Sequence, residues 1–159
     1  MLVFLFLVGF FSKGNELVYT FVSNEISVFD KIPKIEKADK NIVLETYYGP
    51  LTAYGPDCVG CIGYTASGLN VLNGNIYYND NEYGNLRIVA ADKSLPFGTV
   101  VKISAIDGID DEILAIVLDR GSAIGFNRLV YFDLLYPNEK ATEYFGKRNA
   151  TFEILRRGY

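Results

Sequence analysis

Short apolar runs, separated by clusters of turn-forming residues, make up most of the chain from Asn41 onward. The runs are rich in β-branched and aromatic residues, and Gly, Asn, Asp and Pro occupy the intervals, which is typical of strands joined by tight turns. The pattern predicts strands near residues 42–48, 51–54, 86–91, 99–106, 112–118, 128–132 and 150–156. This succession of strands indicates an all-β protein.

One segment, "PNEKATEYFG" at residues 137–146, has the pattern of a helix. Asn138 can cap its first turn, Glu139 complements the start of a helix, and Gly146 can end it. The chain has no repeat of fixed period and no helix long enough for a parallel β-α-β unit. The predicted class is therefore all-β with one or two short helices, as a small and mainly antiparallel barrel or sandwich.

Three of the apolar runs end on an aspartate: "IVAAD" at Asp92, "AIVLD" at Asp119 and "LVYFD" at Asp133. A single aspartate at a strand end is most often a turn residue whose side chain bonds the backbone ahead. Three of them would gather at one rim of a barrel if their strands are neighbours, and gathered, partly buried carboxylates raise the pKa of at least one. A carboxyl that keeps its proton near neutral pH can act as a general acid, which glycosidic bond cleavage requires.

The composition narrows the classes of function. The chain has 159 residues, 50% of them hydrophobic and 14% aromatic, which suffices for one domain with a single core. It contains no histidine, which excludes Ser-His-Asp and Cys-His nucleophiles and histidine-ligated zinc sites. The net charge of −4 and the lack of a long basic run argue against nucleic acid as a partner. Acid–base chemistry therefore falls to carboxylates, Tyr, Lys or Cys.

The N-terminal part of the chain divides into two segments. Residues 1–14 begin with an apolar run that ends at Phe11 and is shorter than a bilayer span. We interpret them as a signal peptide or truncated membrane anchor, with a buried first strand or helix as the alternative. Residues 15–41 include a charged stretch interrupted by Pro33 and are expected to form a spacer that is partly ordered at most. The folded domain is expected at residues 42–159, in a protein exported to the cell exterior or anchored at its surface.

Two cysteines, Cys58 and Cys61, stand at CxxC spacing. Such a pair can be a redox couple, half of a zinc site or a local disulfide. Zinc would need two further ligands in a chain without histidine, and a redox couple favours the start of a helix, whereas this pair lies among Gly and Pro. A disulfide that pins the loop is favoured in an exported protein.

Four separated motifs carry a resemblance to a known family. They are "LTAYGPDCVGCIGYTASG", "IVAADKSLPFGTVVKI", "AIVLDRGSAIGFNR" and "YFDLLYPNEKATEYFGKRNATFEIL". In this order they resemble the three-aspartate domain of bacterial cell-wall proteins, over about Leu51 to Leu155. The resemblance implies a double-psi β barrel related to the catalytic core of membrane-bound lytic transglycosylase A. Such enzymes cleave the β-1,4 bond between N-acetylmuramic acid and N-acetylglucosamine without water and leave a 1,6-anhydro sugar.

The same resemblance implies roles for individual residues. Asp133 matches the acid that protonates the glycosidic oxygen and then takes the proton of the C6 hydroxyl. Asp119 would sit beside it, and Asp92 would complete the groove wall. The substrate-binding positions implied are those of the "TASG" turn and of the segment after Asp119, namely Thr65, Ala66, Ser67, Gly68, Gly121, Ser122 and Ala123. No metal or organic cofactor is implied.

Between Asp119 and Asp133 the chain is slightly longer than the family pattern. Counting forward from "GFNR" therefore aligns Val130 with the third aspartate, whereas counting back from "EYFG" aligns Asp133. The "IVAAD" motif also continues with Lys93 where a proline is common.

Several functions remain open from the sequence. The first is a lytic transglycosylase acting on peptidoglycan strands, with a glycoside hydrolase that uses water as a variant. The second is an expansin-like barrel that binds or loosens wall glycan without cutting it, and the third is a CxxC redox protein. A monomer is expected, and attachment to a membrane through the N-terminus stays open.

Overall fold

The computed structural model describes residues 42–159, which form a closed barrel of six strands with a seventh strand beside it. The strands are β1 Glu45–Tyr54, β2 Tyr77–Asp80, β3 Gly84–Ala90, β4 Val100–Ser104, β5 Ile113–Asp119, β6 Phe132–Leu135 and β7 Arg148–Arg156. The predictions for residues 1–14 and 15–41 concern residues outside this range.

The barrel closes because β6 pairs with β3, which joins the two ends of the order β3, β5, β4, β7, β1, β6. β2 forms a hairpin with the first half of β3, and β6 occupies the second half of the same edge. Two of the neighbouring pairs are parallel, β1 with β6 and β3 with β5, and the others are antiparallel. The fold class predicted from the sequence, all-β, is confirmed, and the barrel is mixed.

Alternation along the strands separates two clusters of buried side chains. Residues that face the barrel interior, such as Val89, Val117 and Leu134, belong to one cluster, in which the rings of Phe132 and Phe152 stack at 4.4 Å. The alternate residues of β3, β5 and β6 face outward. They form the second cluster together with side chains from the segment 69–78. The outer face of these three strands is therefore covered by a loop, so an outward-facing polar group there can also be buried.

Three sequence predictions need correction. The strands predicted at 42–48 and 51–54 are one strand that begins at Glu45, because Gly49 and Pro50 stay within the ladder opposite β7. The strand predicted at 128–132 lies at Phe132–Leu135, since the residues before it form a loop, and β2 was not predicted at all. The segment 137–146 forms one 3-10 turn, Glu139–Thr142, instead of an α-helix; its predicted cap is present, because the Asn138 side chain accepts from the backbone N–H of Ala141 at 2.9 Å.

Candidate functional site

Asp119 and Asp133 lie on either side of the same residue of β3. In the strand register Ala90 pairs with Asp133 of β6 on one side and with Asp119 of β5 on the other. One strand further on, Thr52 of β1 lies opposite Asp133. Since neighbouring strands are about 4.8 Å apart, the backbones of the two aspartates are about 10 Å apart across β3. Residues that pair directly across strands share a face, so both carboxylates lie on the outer face of the barrel.

A β-bulge aims Asp119 at this face. Val89 pairs with Val117 but Ala90 pairs with Asp119, so Leu118 is an extra residue in β5. Without that residue, alternation would point Asp119 to the barrel interior together with Val117. Bulges of this kind often re-aim a side chain beside a functional site. Here the bulge is what places Asp119 on the same side of the sheet as Asp133.

Asp133 is a half-buried carboxyl with one hydrogen bond from a side chain. The hydroxyl of Thr52 donates to its Oδ1 at 2.6 Å. Burial raises the pKa of Asp133 from 3.8 to about 6, the hydrogen bond from Thr52 opposes this, and the charges of Glu139 and Asp119 add to the rise. Contrary to the sequence prediction, Asp133 does not end its strand but is the second residue of β6. Near neutral pH an appreciable fraction of this carboxyl keeps its proton.

Asp119 is buried, with 9% of its surface exposed, and three donors hold its carboxylate. The hydroxyl of Tyr54 donates to Oδ2 at 2.5 Å, and the backbone N–H groups of Ala66 and Arg120 donate to Oδ1 at 2.7 Å each. Burial, followed by the negative charge of Asp119, raises the pKa of Tyr54. Tyr54 therefore stays a hydrogen-bond donor, and Asp119 is oriented from two different parts of the chain.

The predicted "TASG" segment, residues 65–68, reaches Asp119 through its backbone. Thr65 is buried and closes its own turn, because its hydroxyl accepts from the N–H of Leu69 at 3.0 Å and lies 3.0 Å from the hydroxyl of Ser67. The N–H of Ser67 donates to the carbonyl of Leu118 at 3.2 Å. Ala66, Ser67 and Gly68 are exposed on the solvent side of this turn. The turn of residues 65–68 therefore lies directly beside the carboxylate of Asp119.

Asp92 is held by residues of two loops, and not by the partners of the other two aspartates. It lies two residues beyond the end of β3, where its carboxylate accepts from the N–H of Ser94 at 2.8 Å and of Phe126 at 3.2 Å. The bond from Ser94 is the largest of the effects that lower the pKa of Asp92, despite partial burial. A Cβ atom at Gly125 would come within 2.4 Å of Asp92 Oδ2, so glycine is required there. The side chain of Asp92 thus fixes the loop at residues 121–128.

A cavity of about 350 Å³ lies at the ends of β3 and β5, beside Asp92. Gly121 and Ser122, both predicted to bind substrate, line it, whereas Ala123 is exposed outside the lining. Asp119 and Asp133 are not among the lining residues. The predicted site is therefore divided between an aspartate pair on the outer face of the barrel and a cavity one residue further along β3 and β5.

The two cysteines form a disulfide in the loop that follows β1. Cys58 and Cys61 are 5.1 Å apart at their Cα atoms, and the N–H of Cys61 donates to the carbonyl of Cys58 at 2.9 Å. The pair lies in turns, and no α-helix starts from it within residues 42–159. In the same part of the chain, no three or more acidic or sulfur ligands are grouped so that they could hold a metal ion. No helix there is long and apolar enough to span a membrane.

Sequence reasoning missed three side chains that act on the aspartates. Thr52 and Tyr54 bond Asp133 and Asp119, and the charge of Glu139 acts on Asp133 while its carboxylate accepts from the N–H of Gly55 at 2.8 Å. The sequence does contain a signal for Thr52 and Tyr54. They alternate with Leu51 and Ala53, and this alternation puts the two polar residues on one face of β1. What the sequence could not supply was the parallel pairing of β1 with β6.

No protein-family model matches the chain. A stretch of 105 residues, 65% of the chain, is 30% identical to a protein of Bacillus subtilis (strain 168) named "Putative cell wall shaping protein YabE". The matched stretch amounts to 21% of that protein, so the chain spans about a fifth of the curated relative. The comparison establishes a distant similarity to one region of a larger protein.

Proposed function

We propose that the chain cleaves the β-1,4 bond between N-acetylmuramic acid and N-acetylglucosamine in peptidoglycan as a lytic transglycosylase. The observation that carries this proposal is the burial of Asp133, which raises its pKa to about 6 next to a second carboxylate on the same face of the sheet. A carboxyl with such a pKa can donate a proton and accept one in the same cycle at the pH of a cell. In a chain without histidine, this is the acid–base group best suited to the reaction.

The proposed reaction takes two proton transfers at Asp133. The protonated carboxyl gives its proton to the glycosidic oxygen as the bond from that oxygen to C1 of the muramoyl residue breaks, and positive charge develops at C1. The resulting carboxylate takes the proton of the C6 hydroxyl of the same sugar, whose oxygen forms the new bond to C1. The products are a free hydroxyl on the leaving sugar and a 1,6-anhydro end. Water is not consumed, and Asp133 ends protonated.

Asp119 is proposed to support this chemistry as an ionised group beside the reacting sugar. Its negative charge opposes ionisation of Asp133 and would favour the positive charge that develops at C1. The donors Tyr54, Ala66 and Arg120 fix the direction of the carboxylate, which lowers the cost of reorganisation during the reaction. The exposed "TASG" turn and Gly121, Ser122 and Ala123 are proposed to contact the glycan, and Asp92 to hold the loop that carries the last three.

Other features support this proposal or extend it. The two parallel strand pairs, β1 with β6 and β3 with β5, are compatible with a double-psi barrel, which we propose as the topology. The similarity to a protein named for shaping the cell wall supports a role in the cell wall of a bacterium. We further propose that the chain acts outside the cytoplasm as a monomer, with residues 1–14 serving as signal or anchor and residues 15–41 as a spacer before the barrel. The disulfide fits such a location.

The test is a digest of purified peptidoglycan by the 159-residue chain, with the products identified by mass spectrometry. Asp133→Asn is the variant, because asparagine keeps the acceptor for Thr52 but cannot donate an acidic proton. Asp110→Asn is the matched control, since Asp110 is an exposed residue of the loop before β5. Fragments with anhydro ends from the wild type and from Asp110→Asn, and none from Asp133→Asn, are expected.

Other outcomes contradict the proposal in distinct ways. Fragments with reducing ends would mean that water attacks C1 and that the chain is a hydrolase. Wall binding without any fragments would favour the expansin-like, non-cutting barrel. Anhydro fragments that persist in Asp133→Asn would remove Asp133 from the reaction.

A further inference from the structure

The cavity beside Asp92 is lined by more positive than negative charge. Lys93, Arg120 and Arg128 line it, and Asp92 is the one carboxylate among the lining residues. Its floor starts immediately after the positions that carry the proposed chemistry, because Ala91 follows Ala90 and Arg120 follows Asp119. The cavity is thus next to the aspartate pair along these two strands.

Arg120 is held in place without a carboxylate partner. Its guanidinium donates to the carbonyl oxygens of Leu95 at 2.6 Å and Ala91 at 3.4 Å, and it lies over the ring of Phe97 at 4.3 Å. These contacts orient the guanidinium, and the charges of Asp92 and Asp119 act on it without a direct ion pair. The ion pairs among residues 42–159 join Lys102, Arg156 and Arg157 to acids, and none of them includes Lys93, Arg120 or Arg128.

Asp92 does not neutralise the three cations. Its two oxygens already accept from the backbone N–H groups of Ser94 and Phe126, and these bonds fix the carboxylate against the loop. Its charge acts on Arg120 through space, but the two groups form no ion pair. Three cations line the cavity, against Asp92 in the lining and Asp119 next to it, so the site keeps a net positive charge. The concave walls reduce screening of this charge by solvent.

We infer that this cavity binds a carboxylate carried by the glycan strand, an inference that rests on the proposed function. Arginine presents its N–H donors in a planar fork that matches a carboxylate, and a lysine adds a mobile charge at the rim. A volume of about 350 Å³ accommodates a carboxylate with the few atoms that connect it to a sugar. The cavity thereby selects muramoyl residues, which bear an acidic lactyl or peptidyl substituent, over plain N-acetylglucosamine.

The carboxylate can come from two sources, the peptide stem or the lactyl group of a muramoyl residue without a stem. Solubilised strands are therefore prepared in three forms: intact, stripped of stems by an amidase so that the lactyl carboxylate is freed, and intact but with every carboxylate converted to a neutral methylamide. Binding is measured with Asp133→Asn, which is expected not to cut the strands. Arg128→Gln and Lys93→Gln are added to that background, and Lys147→Gln, an exposed lysine outside the cavity lining, is the control.

Conversion to methylamides is expected to weaken binding about tenfold, as loss of a charge-assisted hydrogen bond does. Arg128→Gln and Lys93→Gln are each expected to weaken binding of intact strands by several-fold to tenfold, and to leave binding of the methylamide form unchanged. Lys147→Gln is expected to bind like its parent. Tight binding of stripped strands would assign the site to the lactyl carboxylate, and weak binding would assign it to the stem.

Equal affinity for intact and methylamide strands, or equal losses on both forms in Arg128→Gln, would overturn the inference. Cleavage by the wild-type chain is measured on the same strands, so that the two proposals are separated. Cleavage with carboxylate-independent binding would refute the carboxylate site alone, and carboxylate-dependent binding without cleavage would refute the transglycosylase alone. Lack of binding to all three forms would overturn both.

Discussion

Replacement of Asp133 by asparagine should stabilise the protein at neutral pH, even though it removes the proposed acid. The pKa of Asp133 is 3.8 in the unfolded chain and about 6 in the barrel, so the folded state binds the proton more tightly. The free energy of unfolding therefore falls as the pH rises from about 4 to about 6, because in that window the folded state still holds a proton that the unfolded state has lost. Above about pH 6 Asp133 is ionised in both the folded and the unfolded state. The loss of stability caused by its buried charge is then independent of pH.

The size of this cost follows from the pKa difference. A rise of about two units corresponds to roughly 3 kcal/mol at 1.36 kcal/mol per unit. Asparagine carries no charge at any of these pH values and keeps the acceptor for the Thr52 hydroxyl. The stability of Asp133→Asn relative to wild type should thus increase by roughly 2 to 3 kcal/mol between pH 4 and pH 7.5.

Urea unfolding of both proteins at the two pH values measures this difference directly. Asp110→Asn, which changes an exposed carboxylate in the loop before β5, is measured beside it as the control. If Asp133→Asn gains no stability between pH 4 and pH 7.5, or loses it, then the carboxyl of Asp133 is ionised as easily in the barrel as in water. The physical basis for its role as an acid would then be absent.

Three further changes test other contacts of the barrel and its loops. Tyr54→Phe deletes the hydroxyl that donates to Asp119, and it is expected to slow cleavage about tenfold and to cost 1 to 3 kcal/mol of stability; unchanged turnover would restrict Tyr54 to a role in folding. Arg156 lowers the pKa of Asp80 to about 2, so the stability that Asp80 contributes is present above about pH 4 and lost as the pH falls to 2. Asp80→Asn should therefore destabilise the chain by about 1 to 2 kcal/mol at pH 7 and by less at pH 3, as measured by urea unfolding, and an equal loss at both would contradict this ion pair. Replacement of Cys58 and Cys61 by serine should leave anhydro products in the digest, whereas their loss with Asp133 intact would favour a redox protein.

The strand pattern predicted the all-β class because its signals are local. Apolar alternation and turn residues placed β3, β4, β5 and β7 close to their observed positions. The helix predicted at residues 137–146 is longer than the observed turn, Glu139–Thr142. A capping residue can start a helix, but a longer helix is stabilised by packing of a buried apolar face, and this turn has no buried residue. β2 was missed since none of its four residues is buried and, among residues 42–159, it pairs with β3 alone.

The orientation of the aspartates could not be predicted from local sequence patterns. That Asp119 ends its strand was visible in "AIVLDRG", but the bulge at Leu118, which turns Asp119 to the outer face, depends on the pairing with β3. By alternation alone Asp119 would face the core beside Val117. The partners of Asp92 were equally hidden, because they are backbone N–H groups of Ser94 and Phe126 in loops.

Asp133 is tested as the acid most directly by the pH dependence of the rate at which the 159-residue chain forms anhydro ends on peptidoglycan, between about pH 4 and pH 8. If protonated Asp133 is the acid, the rate should be level below about pH 6 and fall about tenfold per pH unit above it, and Asp133→Asn should form no anhydro ends at any pH. A rate that stays level or rises up to pH 8, or anhydro ends formed by Asp133→Asn, would contradict the account.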